Sequence, residues 1–402
     1  MNKNTFIYTF LAVMISLSSI AQEIWTGSTS TDWSNNGNWS DGSAPGAFSG
    51  AITIQNRSND PVMTNVNQTV AGSLNVRSGA NLTVTSSSIN QQGGTTDNAG
   101  TVILNSGSAF YSSATVSGSG SFTYNRNLAA ANKWYVMSSP VAGQSIPNFI
   151  SSEPIPTSGN GNLGFGIYNT ASDNYTYSTA DSPITGNFAS GKGYLVRVST
   201  AGNATFNGSN PTTGNVTFGL NFSGSTRYNL VGNPWPAHLK SADMLTANTL
   251  KLTSQTIWVW NANSGAYETK VSGAGFMIAP GQGFYVQAKS GGSGNLTFEH
   301  SDLLANSSDT FRNSIEERFE VYLNISAESV NRTAEVYYIE GTTTGFDNGY
   351  DGELFASQDN DFAIYTRSDS DENDSNLNLY VQSIPEMSHI VPVGVNALEG
   401  TE

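Results

Sequence analysis

One pattern constrains this chain more than any other: a set of landmarks that occurs twice. Trp134-Tyr135-Val136-Met137-Ser138-Ser139-Pro140 reappears as Tyr228-Asn229-Leu230-Val231-Gly232-Asn233-Pro234. Gly166-Ile167-Tyr168-Asn169 is matched by Ile257-Trp258-Val259-Trp260-Asn261, and Gly191-Lys192-Gly193-Tyr194-Leu195-Val196 by Gly281-Gln282-Gly283-Phe284-Tyr285-Val286. The tails Ala204-Thr205-Phe206 and Asn295-Leu296-Thr297-Phe298 follow. Repeated landmarks in the same order imply two copies of one supersecondary unit, here about 134–208 and 227–301. Apolar and aromatic residues alternate within them, so each copy is read as a small β-unit.

The rest of the chain also points to strands. Only 12% of residues are charged, 11% are aromatic, and there are 41 glycines among 402 residues. Such a surface of Ser, Thr, Asn and Gly suits strands joined by tight turns. The fold class expected is all-β. With no Cys in the chain, stability must come from packed layers and strand ladders, and thiol chemistry is excluded.

Residues 1–21 have the form of a secretory signal peptide, with Lys3 before the apolar run Phe6 to Leu17 and Ser19-Ile20-Ala21 as a cleavage site. That run is too short for a membrane span, and no membrane span is expected in the mature chain. The mature sequence opens with Trp25, Trp33 and Trp39 among Ser, Asn and Gly. Two readings fit three indoles so placed. They cap the open end of a stacked core, which is the expectation, or they form a platform on which glycan rings stack.

From 22 to 125, short alternating strands recur, such as Ala51-Ile52-Thr53-Ile54, Leu74-Asn75-Val76, Leu82-Thr83-Val84 and Thr101-Val102-Ile103-Leu104. Rungs of this kind predict a parallel β-solenoid with a Trp-rich cap; a flat antiparallel sandwich is the competing fold. The duplicated module occupies 126–302. Its Gly191-Lys192-Gly193 and Gly281-Gln282-Gly283 lack the remaining residues of a phosphate loop and are read as bulges or tight turns.

Charge separates the last region. From Glu299 onward lie 21 of the 31 acidic residues but only 4 of the 16 basic ones. Residues 311–402 alternate with hairpin spacing, as in Phe319-Glu320-Val321-Tyr322-Leu323 and Ala334-Glu335-Val336-Tyr337, and are expected to form an antiparallel sandwich or jelly roll. Because Val391-Pro392-Val393 opens a strand close to Glu402, this domain is expected to be truncated. No basic face is present to neutralise phosphates, so nucleic acid is not an expected partner. Asp347 and Asp351, and Asp369, Asp371 and Asp374, are candidate calcium ligands, since alternating hard oxygens suit that ion. The alternatives are a hairpin turn at Asn348-Gly349 and a solvated acidic loop. Calcium is the single cofactor considered.

Three blocks together resemble the large surface or secreted proteins that Bacteroidetes export by the type IX secretion system. They are Trp25-x-Gly27 with Trp33, Asn38-Trp39 and Pro45; Tyr228 to Pro234 with Ala279 to Phe284; and Gly345-Phe346-Asp347-Asn348-Gly349-Tyr350-Asp351-Gly352. The Tyr-Pro-Asn-Pro strand start of that family's sorting domain does not occur here. The resemblance implies an exported, extracellular or cell-surface location and contact with the secretion machinery. The family carries many activities on similar folds, so the resemblance speaks to address before function. His238, His300 and His389 share no metal-ligand spacing, and His300-Ser301-Asp302 is contiguous where a triad converges from separate segments. No catalytic residue is assigned. The expected role is adhesion or scaffolding toward extracellular or surface glycans or proteins; carbohydrate binding or polysaccharide degradation is the alternative.

Overall fold

The computed structural model describes residues 22–304, 319–327, 330–355, 362–368 and 377–397. The expected signal peptide lies outside them. The protein is all-β, and its N-terminal part is a parallel solenoid of about four turns. Three parallel sheets form its faces. One contains Glu23–Trp25, Ile52–Ile54, Leu74–Val76, Thr96–Asn98 and Val116–Ser117; the second Val62–Thr64, Asn81–Thr85, Thr101–Asn105 and Ser121–Leu128; the third Phe48–Ser49, Asn67–Val70, Ser88–Gln91 and Ala109–Ser112. Side chains that meet across neighbouring rungs are 20 to 22 residues apart in sequence, as in Asn75–Thr53, Ser88–Asn67 and Ser121–Thr101.

Alternation accounts for the apolar interior: Ile52, Ile54, Leu74, Val76, Leu82, Val84, Val102, Leu104 and Phe122 are all buried. The third face is less obvious in sequence because its inward positions include Gln68, Gln91 and Ser112. Burial of these polar groups is offset by hydrogen bonds. The Gln68 amide donates to the Gly46 carbonyl (2.9 Å), and the Gln91 side-chain oxygen accepts from Thr96 and Ser112.

Ser121–Leu128 is the junction of the architecture. On one side it continues the solenoid in parallel with Thr101–Asn105. On the other it pairs antiparallel with Gly202–Gly208, from Phe122 opposite Gly208 to Leu128 opposite Gly202. The solenoid and the first unit therefore share a strand.

The two units have the same topology. In the first, Trp134–Met137, Tyr194–Arg197, Asn162–Asn169 and Asn174–Thr179 are neighbours in that order; in the second, Tyr228–Gly232, Gly283–Gln287, Thr256–Asn261 and Ala266–Val271. All of these pairs are antiparallel. Each unit inserts a seven-residue helix after its first strand, Ile146–Ser152 and Ser241–Ala247. Each ends in a strand paired with one that precedes the unit: Gly202–Gly208 with Ser121–Leu128, and Asn295–Phe298 with Val216–Gly219.

Equivalent residues of the units also touch each other. Ser138 N–H donates to the Gly281 carbonyl at 2.8 Å, and its counterpart Gly232 N–H donates to the Gly191 carbonyl at 3.0 Å. Contacts exchanged in both directions are the signature of a two-fold interface, here within one chain. The Gly-x-Gly segments thus form the seam. Gly191 and Gly281 have φ of +74° and +68°, a region that favours glycine. A Cβ on Gly232 would lie 2.4 Å from the Ser138 Cβ.

The described strands of the acidic region form one curled, half-barrel sheet. Its order is Glu320–Ala327, Val330–Tyr338, Asn378–Ile384, Ala363–Arg367 and Val393–Asn396, with Gly352–Glu353 also pairing to Asn378–Ile384. Val330–Tyr338 and Asn378–Ile384 run parallel, an arrangement that hairpin spacing does not foretell, because parallel neighbours require a crossover. Among the described residues, no helix is long and apolar enough to cross a membrane.

Candidate ligand cleft at the junction of the β-regions

The indoles at the start of the chain are interior. Trp25, Trp33 and Trp39 are 0%, 1% and 3% exposed. Trp39 meets both others edge-to-face, with ring centroids 5.3 Å from Trp25 and 4.8 Å from Trp33. Its indole N–H donates to the Trp33 carbonyl at 2.8 Å. Buried Asn38 ties down the surrounding loop, accepting from Thr29 and Ser30 N–H and donating to the Asp32 carbonyl. The glycan-stacking reading of these three residues is corrected here. A pyranose needs an accessible ring face, and these faces are spent on each other and on the first rungs.

Asp347 and Asp351 are likewise engaged within the fold. Asp351 is fully buried, and its two carboxyl oxygens accept the N–H groups of Asp347 and Ser383. Desolvation outweighs these hydrogen bonds and pushes its pKa up to about 7. One Asp347 oxygen accepts from the Thr343 N–H and hydroxyl. The pair shapes the 343–352 turn, three of its carboxyl oxygens accepting hydrogen bonds from within the fold. Among the described residues, no group of three His, Cys, Asp or Glu is placed to hold a metal ion. Asp369, Asp371 and Asp374 lie outside the described residues.

That turn is a docking device. Gly273 N–H donates to the Gly349 carbonyl, and Gln255 N–H to the Asn348 side chain, at 2.8 and 2.7 Å. The strand that follows delivers Phe355 among Tyr228, Trp258, Tyr267 and Tyr285, with centroids 4.4 to 5.5 Å away. In the same aromatic layer the Tyr175 hydroxyl lies 2.6 Å from that of Tyr285 and 3.4 Å from that of Tyr267. Burial is the largest cause of the raised pKa of all three phenols. His300 stacks on Tyr111 at 4.6 Å and burial lowers its pKa, while His238 is buried in the second unit.

Where solenoid exit, both units and acidic sheet meet, they leave a cleft of about 740 Å³. The exit strand contributes Arg126; the second unit contributes Trp260, Asn261, Glu268 and Lys270; the acidic sheet contributes Glu320, Tyr322, Glu335 and Tyr337. The last four come from a repeated Glu-x-Tyr phrase on adjacent antiparallel strands. Glu320 is opposite Tyr337 and Tyr322 opposite Glu335, so alternation puts all four on one face. Within each strand the tyrosine hydroxyl donates to its own glutamate. Lys270 Nζ spans the two sheets, 3.2 Å from Glu268 and 3.9 Å from Glu335. The Asn261 amide holds Glu268 from the other side, and the Trp260 indole donates to the Trp134 carbonyl at 2.7 Å. These lining residues escape a linear reading because they come from segments far apart; Glu-x-Tyr, occurring twice, is the signal that finds the four from the acidic sheet.

With that geometry in view, comparison with known families places most of the chain. Residues 24–276 match a family described as a domain of unknown function, DUF8693. The chain belongs to this family. The match runs from the Trp cap through the solenoid and the first unit into the second. No curated protein and no solved structure matches the chain.

Proposed function

We propose that this DUF8693 protein is an exported, non-catalytic β-scaffold that acts at the cell surface or outside the cell in adhesion. One observation carries the reading: the last solenoid strand is also a strand of the first unit, in register over seven residue pairs. A shared strand joins two regions without a hinge, and the reciprocal seam between the units removes a second hinge. A chain so joined holds its surfaces at fixed spacing, which suits presentation of many weak contacts across neighbouring molecules. The address rests on the signal-peptide pattern and on the resemblance to proteins of the type IX route.

Two measurements test it. Small-angle scattering of the chain from Gln22 to Glu402 is expected to fit one rigid arrangement of residues 22–304. Incubation with a panel of polysaccharides, peptides and esters, with and without Ca²⁺, is expected to give retention on cells or glycans and no product. Turnover that disappears when a single acidic residue or histidine is replaced would overturn the reading.

A further inference from the structure

We infer that the junction cleft is a binding site for a neutral oligosaccharide. The inference deepens the adhesive reading by giving the scaffold a ligand class, and it stands on separate observations. Its volume falls in the range of small-ligand sites, and such sites are preferentially found where domains meet.

The lining selects the class. A sugar presents hydroxyls that both donate and accept, and flat C–H faces that pack on aromatic rings. The cleft supplies acceptors in Glu268, Glu320 and Glu335, donors in the Asn261 amide and Lys270, and rings in Trp260 and Tyr322. Tyr322 is 50% exposed, while Tyr337 on the neighbouring strand is buried. The acceptors are held in place beforehand: Tyr322 and Tyr337 fix the two glutamates of the acidic sheet, and Asn261 with Lys270 fixes Glu268. Preorganised polar groups lower the ordering cost of binding. Charge decides against an acidic polymer. Three carboxylates outnumber Lys270 and Arg126, and Lys270 is already paired with two of them.

The test is calorimetry on the chain from Gln22 to Glu402 with hexasaccharides of β-1,4-glucan, β-1,3-glucan, β-mannan and chitin, and with polygalacturonate as the acidic control. At least one neutral hexasaccharide is expected to bind. Tyr322→Ala should weaken that binding at least tenfold with the melting temperature unchanged, because the side chain is half exposed. Glu268→Gln should weaken it at least threefold, reporting the opposite wall. Failure of all four neutral sugars, preference for polygalacturonate, or binding indifferent to both substitutions overturns the inference. Rigidity is read by scattering and turnover by product analysis, so the scaffold reading and the sugar site fail independently.

Discussion

Replacing Trp39 with alanine probes the logic of the whole N-terminal region. The side chain is 3% exposed, so truncation removes nearly all of its packing. Phe or Trp to Ala in a core costs about 3–5 kcal/mol. Trp39 also makes two edge-to-face contacts, at 5.3 and 4.8 Å, each worth about 0.5–1.5 kcal/mol beyond burial. Its N–H bond to the Trp33 carbonyl, 2.8 Å long, contributes about 1 kcal/mol. These contributions overlap, and we expect a loss of about 4–5 kcal/mol, the upper part of the truncation range. Trp39→Phe keeps a ring while losing the hydrogen bond and some volume, and should cost about 1–2 kcal/mol. Because solenoid stability is close to a sum over neighbouring rungs, the loss should appear as an earlier first phase in urea unfolding followed by circular dichroism. A midpoint shift worth less than about 1 kcal/mol, together with lost glycan binding, would refute the cap and restore the platform.

Three further outcomes are expected. Gly232→Ala places a methyl 2.4 Å from the Ser138 Cβ at the seam and should destabilise by about 1–3 kcal/mol, whereas Gly46→Ala, whose nearest neighbour is 3.9 Å away, should be close to neutral in the same thermal melts. Asp351, with its pKa raised to about 7, makes stability highest below its unfolded value of about 4. That contribution is lost as pH rises toward 7, by up to about 1.4 kcal/mol per pH unit, and a denaturation series from pH 4 to 8 should show the decline flatten in Asp351→Asn. Burial raises the pKa of Tyr175, Tyr267 and Tyr285, so in a spectrophotometric titration they should ionise later than exposed tyrosines; Tyr175→Phe, which removes the hydroxyl shared with Tyr285, should cost about 1–3 kcal/mol in urea midpoints.

Local pattern was enough for several features because their causes are local. Alternation put Leu74, Val84 and Val102 inside strands, and the interior is where they lie. Repeated landmarks announced two units, and the common strand order follows from them. The third solenoid face was hidden, since Gln68, Gln91 and Ser112 are polar and become acceptable inside only once neighbouring rungs supply partners.

What the chain alone determined, then, was periodicity: strands, their buried sides, the absence of disulfides and the segregation of acidic residues beyond Glu299. Tertiary structure decided everything that depends on which segments meet. It turned Trp25, Trp33 and Trp39 into a closed lid, made the Gly-x-Gly turns a seam, and used Asp351 to anchor a turn. It also brought Glu335 of the acidic sheet to Lys270 of the second unit to make the cleft. The physical reason is that side-chain direction is set every second residue along a strand, whereas the partner across a seam or cleft is set by how sheets pack.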